Sequence, residues 1–175
     1  MEDRPAEEEM SLAEAKAWLR PKALKGGARC PCCDQWTQIY KTPIHSGMGK
    51  VLALICSAYT RGLLDREDYL HVEHYTAELK IPIRGYHGKL RFWNLVEAKA
   101  NENPKKKDSG YWRPTPLAFD FVAGRVSVPR YAFLFNNACL HMSEEQTTIH
   151  DVMRTPFDYS AMVRGISENP EKSPF

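Results

Sequence analysis

The chain has 175 residues, 43% of them hydrophobic, with a formal net charge of +2. That length suits one domain with extensions, and the apolar share is enough for a packed core. No apolar run approaches the roughly 18 residues of a membrane span, and the acidic first residues do not read as a signal peptide. The expectation is a cytoplasmic protein with no membrane role, its five cysteines free or on metal in a reducing compartment.

The distribution of charge says more than its sum. Residues 1–20 carry six acidic and three basic groups, and residues 144–175 the same numbers. Residues 84–130 carry ten basic and four acidic groups, net +6. A basic excess confined to one segment is the footprint of a phosphate-backbone binder. The plain alternative is a solvated basic face.

Residues 1–10 are acidic and expected to be disordered. Ser11 and Glu14 form a Ser-x-x-Glu capping box that opens a short helix to about Leu19, with Pro21 as its stop. Lys25-Gly26-Gly27 turns the chain into Cys30-Pro31-Cys32-Cys33, and Trp36–Tyr40 has strand character. This stretch, 11–45, reads as an N-terminal appendage.

Residues 46–125 read as the main domain. Over Gly47–Thr60 the residues Met48, Val51, Leu52, Ile55, Ala58 and Tyr59 keep 3–4 spacing and predict a helix with one broad apolar face. A short strand is expected over Tyr69–Val72, a second helix over Glu73–Leu79, stopped before Pro82, and a third over Gly85–Trp93 with Leu90 and Trp93 inward. Val96–Ala100 and Tyr111–Arg113 should pair as a hairpin around the polar loop Asn101–Gly110, and Thr115–Val122 closes the unit. Residues 126–165 read as an extension: strands over Val126–Asn136 and Ala138–Met142 joined by Asn136-Asn137, then a short helix over Glu144–Met153 and a helical turn from Phe157. Residues 166–175 are a polar tail.

The order helix, strand, helix, helix, strand, charged loop, strand is that of a winged helix-turn-helix, so the fold expectation is α+β. Lys89-Leu90-Arg91-Phe92-Trp93-Asn94-Leu95-Val96-Glu97, Gly110-Tyr111-Trp112-Arg113-Pro114-Thr115, Arg29-Cys30-Pro31-Cys32-Cys33-Asp34-Gln35, Ser46-Gly47-Met48 and Val128-Pro129-Arg130-Tyr131 carry a resemblance. The chain resembles small phage and bacterial proteins that join a Cys-Pro-x-Cys element to a winged helix. It departs from their pattern by having Asn94 where glycine is common. The resemblance implies the winged-helix fold and a DNA partner, in the cytoplasm of a bacterium or of a phage-infected host.

Candidate contacts follow from side-chain chemistry. Lys105, Lys106 and Lys107 are point charges on the loop and suit phosphates rather than bases. On the third helix Arg84, Tyr86, His87, Lys89 and Arg91 are the candidates. Helical spacing would turn Arg84, His87 and Arg91 together toward a major groove. Arg113, beside Trp112 on the returning strand, completes the set, with base stacking on Trp112 as a sharper alternative to a core role. Cys30-x-x-Cys33 is half of a tetrahedral zinc site. Its other ligands would come from Cys32, His45, Cys56, His71, His74, Cys139 or His141, with the last pair expected on one strand face. A redox pair and a metal-free cysteine cluster are the alternatives.

No nucleophile elbow, phosphate-cradling glycine loop, His-Glu-x-x-His or dinucleotide fingerprint is present, so no enzyme is expected. The resulting expectation is a regulator that binds double-stranded DNA, with structural zinc in its appendage and the capacity to dimerise. A protein–protein adaptor on the same scaffold is the competing expectation.

Overall fold

The computed structural model describes residues 10–81, 85–101 and 109–168. The expected disorder of residues 1–9, residues 169–175 of the expected tail, Arg84 and the lysines Lys105, Lys106 and Lys107 lie outside the described residues; residues 166–168, expected as tail, instead end the last helix, with Ile166 buried in the core.

In chain order the elements are α1 (Leu12–Lys25), β1 (Ala28–Arg29), β2 (Trp36–Thr37), β3 (Tyr40–Pro43), α2 (Ser46–Thr60), β4 (Leu70–His71) and α3 (Val72–Glu78). A 3₁₀ helix (His87–Trp93), β5 (Val96–Ala98), β6 (Tyr111–Pro114), α4 (Pro116–Val122) and β7 (Val128–Pro129) follow. β8 (Tyr131–Phe135), β9 (Ala138–Met142), β10 (Gln146–Thr147), α5 (Ile149–Met153) and α6 (Tyr159–Glu168) complete the chain. The fold is mixed α+β with small sheets. It divides into two units, one of residues up to Thr42 with Tyr131–Met142, the other of Pro43–Arg130 with residues from Ser143 onward. The segment 126–165 therefore contributes to both.

In the first unit, Ser11 and Glu14 cap α1 reciprocally, as the sequence predicts. Pro21 does not stop the helix, which runs on to Lys25. The reason is packing beyond the proline. Ala23 is buried, and its carbonyl accepts from the Ile39 amide at 2.8 Å, so the last turn is held despite one lost helix bond. At the following turn Gly27 has φ +97°, and a Cβ there would lie 2.5 Å from the Trp36 ring. Only glycine lets β1 and β2 close this tightly. Asn136 and Asn137 both take positive φ (45° and 60°) and join β8 to β9 as a tight hairpin.

The second unit is organised around α2. Every residue from Met48 to Tyr59 except Lys50 is buried, so the helix has no wide solvent face, and the predicted single apolar stripe underestimates its burial. α4, α5, α6, β6 and the 3₁₀ helix all pack on it. Ser57 manages its burial by donating to the Leu54 carbonyl at 2.7 Å, as a buried hydroxyl must. The sheet order is β4-β6-β5, with Trp112 facing both Leu70 and Ala98, and Glu97 facing Arg113. Along β6, Trp112 and Pro114 point inward while Tyr111 and Arg113 point out. The predicted helix over 144–153 forms only at Ile149–Met153, under a Thr148–Asp151 capping box, because Gln146 and Thr147 pair with β7 instead. Among the described residues, no helix is long and apolar enough to cross a membrane.

This packing makes a stability contrast. Leu52→Ala, at a fully buried site on α2, is expected to cost about 2–5 kcal/mol. Leu63→Ala, at a site 54% exposed, should change stability by no more than about 0.5 kcal/mol. Urea titration of both variants by circular dichroism checks the difference.

Candidate functional site

The third helix is the correction that matters most. It is a 3₁₀ helix, and the residues explain why: His87, Leu90 and Trp93 are the buried ones, three apart, which matches three residues per turn. Gly85 enters it with φ +66°. Trp93 anchors its end by donating through Nε1 to the Pro129 carbonyl. The expected face of Arg84, His87 and Arg91 therefore does not form as drawn. His87 is turned inward, its ring 5.7 Å from that of Trp112, and leaves the solvent-facing set.

The same period creates two outer ridges. Tyr86, Lys89 and Phe92 fall on one, and Gly88, Arg91 and Asn94 on the other. Lys89 and Arg91 are exposed. Arg91 folds back on its own ridge, donating to the Gly88 carbonyl, with its guanidinium 4.6 Å from the centre of the Phe92 ring. Tyr86 rests edge-on against His45, 4.7 Å between centroids, and leaves no room for a side chain at Gly47, where a Cβ would lie 2.9 Å from the Tyr86 ring. The His45 pKa is lowered, first by burial and then by the nearby Lys89 charge.

Asn94 ends the 3₁₀ helix in the left-handed region, φ 54° and ψ 32°. Asparagine suits this position because, after glycine, it tolerates the left-handed conformation better than most side chains. Its carbonyl accepts from Thr115 Oγ1 at 2.7 Å, which ties the helix end to the start of α4.

Arg113 does not stand free for a ligand. It donates to Glu97 Oε2 through Nε at 2.9 Å and through Nη2 at 2.8 Å, across the strand pair, and lies over the Tyr69 ring. Beside it, a cleft of about 240 Å³ is lined by Arg66, Glu67, Glu97 and Arg113 with Tyr59 and Phe119. Both signs of charge line it, so it is no anion cradle. Tyr59 is pushed up to about 12 by burial and stays protonated near neutral pH. Trp112 is buried at 2% exposure, which places it in the core and not on a stacking platform.

Sequence reasoning missed the base of the charged loop. Lys99 is exposed and lies 5.7 Å over the Tyr111 ring. Its amide donates to the Tyr111 carbonyl at 2.9 Å. Gly110 has φ +76°, and a Cβ there would meet His71 Nε2 at 2.9 Å. His71 caps α3, Nδ1 accepting from the His74 amide. The signal in the sequence was Lys99 beside the predicted loop, within the strand assignment and thus overlooked as a contact.

In the other unit, Cys30, Cys32 and Cys33 share the turn between β1 and β2. The Cys30 amide donates to the Gln35 carbonyl at 2.8 Å, and the Asp34 amide to the Cys30 carbonyl at 2.9 Å. The Cys30 thiol is held below its ordinary range, first by the Cys32 backbone, with burial opposing and the Cys33 backbone adding a smaller lowering. Cys32 is shifted up, by burial first and by neighbouring Cys30 next. Cys56 lies wholly inside α2, and burial pushes its thiol far up, so it is no ligand. Cys139 and His141 do not share a face. A bulge sets them opposite Leu134 and Phe133 respectively, successive residues that point to opposite sides. Among the described residues, no three His, Cys, Asp or Glu side chains gather as a metal site.

The chain matches no protein-family model, no curated protein and no solved structure.

Two outcomes follow from this geometry. Asn94→Gly should be near neutral in thermal unfolding, whereas Asn94→Val should cost about 1–2 kcal/mol. A lowered His45 pKa means that neutral His45 favours the folded state. Its contribution is present above the ordinary histidine range and is lost as pH falls through the lowered value. His45→Gln should therefore flatten the decline in stability between about pH 7 and pH 5 seen by urea titration at several pH values.

Proposed function

We propose that the unit of Pro43–Arg130 with residues from Ser143 onward is a winged helix-turn-helix that binds double-stranded DNA in a regulatory role. The observation that carries this reading is topological. Helix α2, strand β4, helix α3, the 3₁₀ helix, β5, a long charged loop and β6 follow in that order, and the sheet is ordered β4-β6-β5. In this reading the chain that joins the last two strands is the wing. Residues 85–114, from the 3₁₀ helix to the end of β6, carry seven basic and three acidic groups, net +4.

In this reading the 3₁₀ helix faces the major groove. Lys89, flanked by Tyr86, meets phosphate, and Arg91 swings from the Gly88 carbonyl to a guanine edge. Arg84, which precedes Gly85 in the sequence, is a further candidate for phosphate contact. Lys105, Lys106 and Lys107 on the wing, with Lys99 at its base, grip the flanking backbone. Arg113 acts indirectly: its ion pair with Glu97 fixes the register of the hairpin that carries the wing.

A second reading has its own observation. The unit of residues up to Thr42 with Tyr131–Met142 holds a groove of about 540 Å³, lined mainly by apolar residues such as Ala17, Leu19, Ile39, Phe135 and Leu140, together with Lys16 and Arg20. A mostly apolar groove that also carries two cations suits a protein segment that presents apolar and acidic side chains. That is the adaptor reading.

Fluorescence anisotropy with random and genomic duplexes across a salt series separates the two. The DNA reading expects binding that weakens steeply with salt, by a slope of about −0.9 per neutralised phosphate. Lys105→Ala/Lys106→Ala/Lys107→Ala should make that slope shallower by about 1–3. Absence of binding at low salt overturns the DNA reading and leaves the adaptor.

A further inference from the structure

The groove of the first unit joins Ala17 of α1 to Ile39, Phe135 and Leu140, with Lys16 and Arg20 from the same helix. Lys16 and Arg20 stand four apart, so both fall on one face of α1. No ion pair holds either of them among the described residues. Phe135 and Leu140 are exposed. An open apolar surface with two cations calls for an occupant that brings carboxylates and a few apolar atoms.

Residues 1–9 have that composition. Glu2, Asp3, Glu7, Glu8 and Glu9 stand against Arg4 alone, net −4, in the company of Met1, Pro5 and Ala6. α1 carries Lys16, Arg20, Lys22 and Lys25 against Glu14, net +3, and the Glu14 carboxylate is taken by the Ser11 cap. Opposite charge thus lies on consecutive stretches of one chain. The reach also suffices. α1 has 14 residues, about 21 Å at 1.5 Å per residue, and Arg20 lies about 12 Å along it. Nine extended residues span up to about 30 Å, enough to run back past Arg20. A tether of two residues, Met10 and Ser11, gives the segment an effective concentration on the order of mM at the groove, so a weak contact is enough to fill it. Acidic residues ahead of a helix also interact with its dipole. That effect fades within the first turn, and Lys16 and Arg20 lie beyond it.

We propose that residues 1–9 occupy this groove in the same chain, their carboxylates on Lys16 and Arg20 and their apolar side chains against Ile39 and Leu140. The occupancy needs no external partner. Where the adaptor reading holds, this segment is what an acidic partner displaces.

The test uses the full chain with isotope-labelled methyl groups at low salt. Nuclear Overhauser contacts are expected from the Met1 or Ala6 methyl to Ile39 or Leu140. They should fade in about 1 M salt, which shortens the screening length to about 3 Å. Lys16→Glu/Arg20→Glu should abolish them, with circular dichroism checking that α1 is still formed. Adding Glu2→Lys/Asp3→Lys/Glu7→Lys/Glu8→Lys/Glu9→Lys to that variant should restore them, which a misfolded chain could not do. Absence of contacts in the unaltered chain overturns the proposal, as do contacts that survive Lys16→Glu/Arg20→Glu. Contacts seen only between differently labelled chains put a second copy in the groove and overturn it as well.

Discussion

The constraint on which the second unit depends is that α2 is enclosed. A helix buried along nearly its whole length cannot be amphipathic, and its residues from Met48 to Tyr59 supply apolar or small side chains on all sides except at Lys50. Each neighbour is then placed by what α2 offers it. α5 closes on Gly49, where a Cβ would lie 3.0 Å from both Met153 and Val152. Tyr159 on α6 meets Thr60 at 2.8 Å between hydroxyls. Trp112 and Leu90, both in the buried core, bring the hairpin and the 3₁₀ helix onto the same centre. Burying such a side chain is worth roughly 1.5–3 kcal/mol, so the orientation of the outer elements is set from inside.

The 3₁₀ helix shows how that inner demand shapes an outer surface. Because His87, Leu90 and Trp93 must all reach the core, the period between them is three rather than 3.6. The outward residues are then sorted onto the ridges of Lys89 and of Arg91. Asn94 stops the pattern in a left-handed conformation, and Thr115 holds the stop in place. Charge on this surface is thus positioned by apolar packing beneath it, and the Arg113–Glu97 pair adds register across the hairpin at a site where an exposed ion pair alone contributes about 0–1 kcal/mol.

Much of this was legible in the chain. The spacing of Met48, Val51, Leu52 and Ile55 located α2 to within a residue, and the capping box of Ser11 and Glu14 located the start of α1. Asn136-Asn137 marked the β8–β9 turn, and the alternation of Tyr111, Trp112 and Arg113 gave β6. The failures have physical causes. Pro21 is a helix breaker by local rules, and tertiary packing of Ala23 overrode it. The inward turn of His87 was hidden because a histidine between glycines reads as polar until its neighbours at three-residue spacing are seen to be buried. The facing of Arg113 on Glu97 depended on strand register, which sequence sets only once the loop length is known. The bulge that parts Cys139 from His141 left no mark in composition.

The account's central claim is that the 3₁₀ ridge and the hairpin behind it form the DNA-facing surface. Hydrogen–deuterium exchange with and without a saturating random-sequence duplex at low salt tests it most directly. The account predicts new protection over residues 85–101 and 109–113, with little change over 11–42 and 131–142. Protection confined to the latter segments, or no protection anywhere, would contradict it.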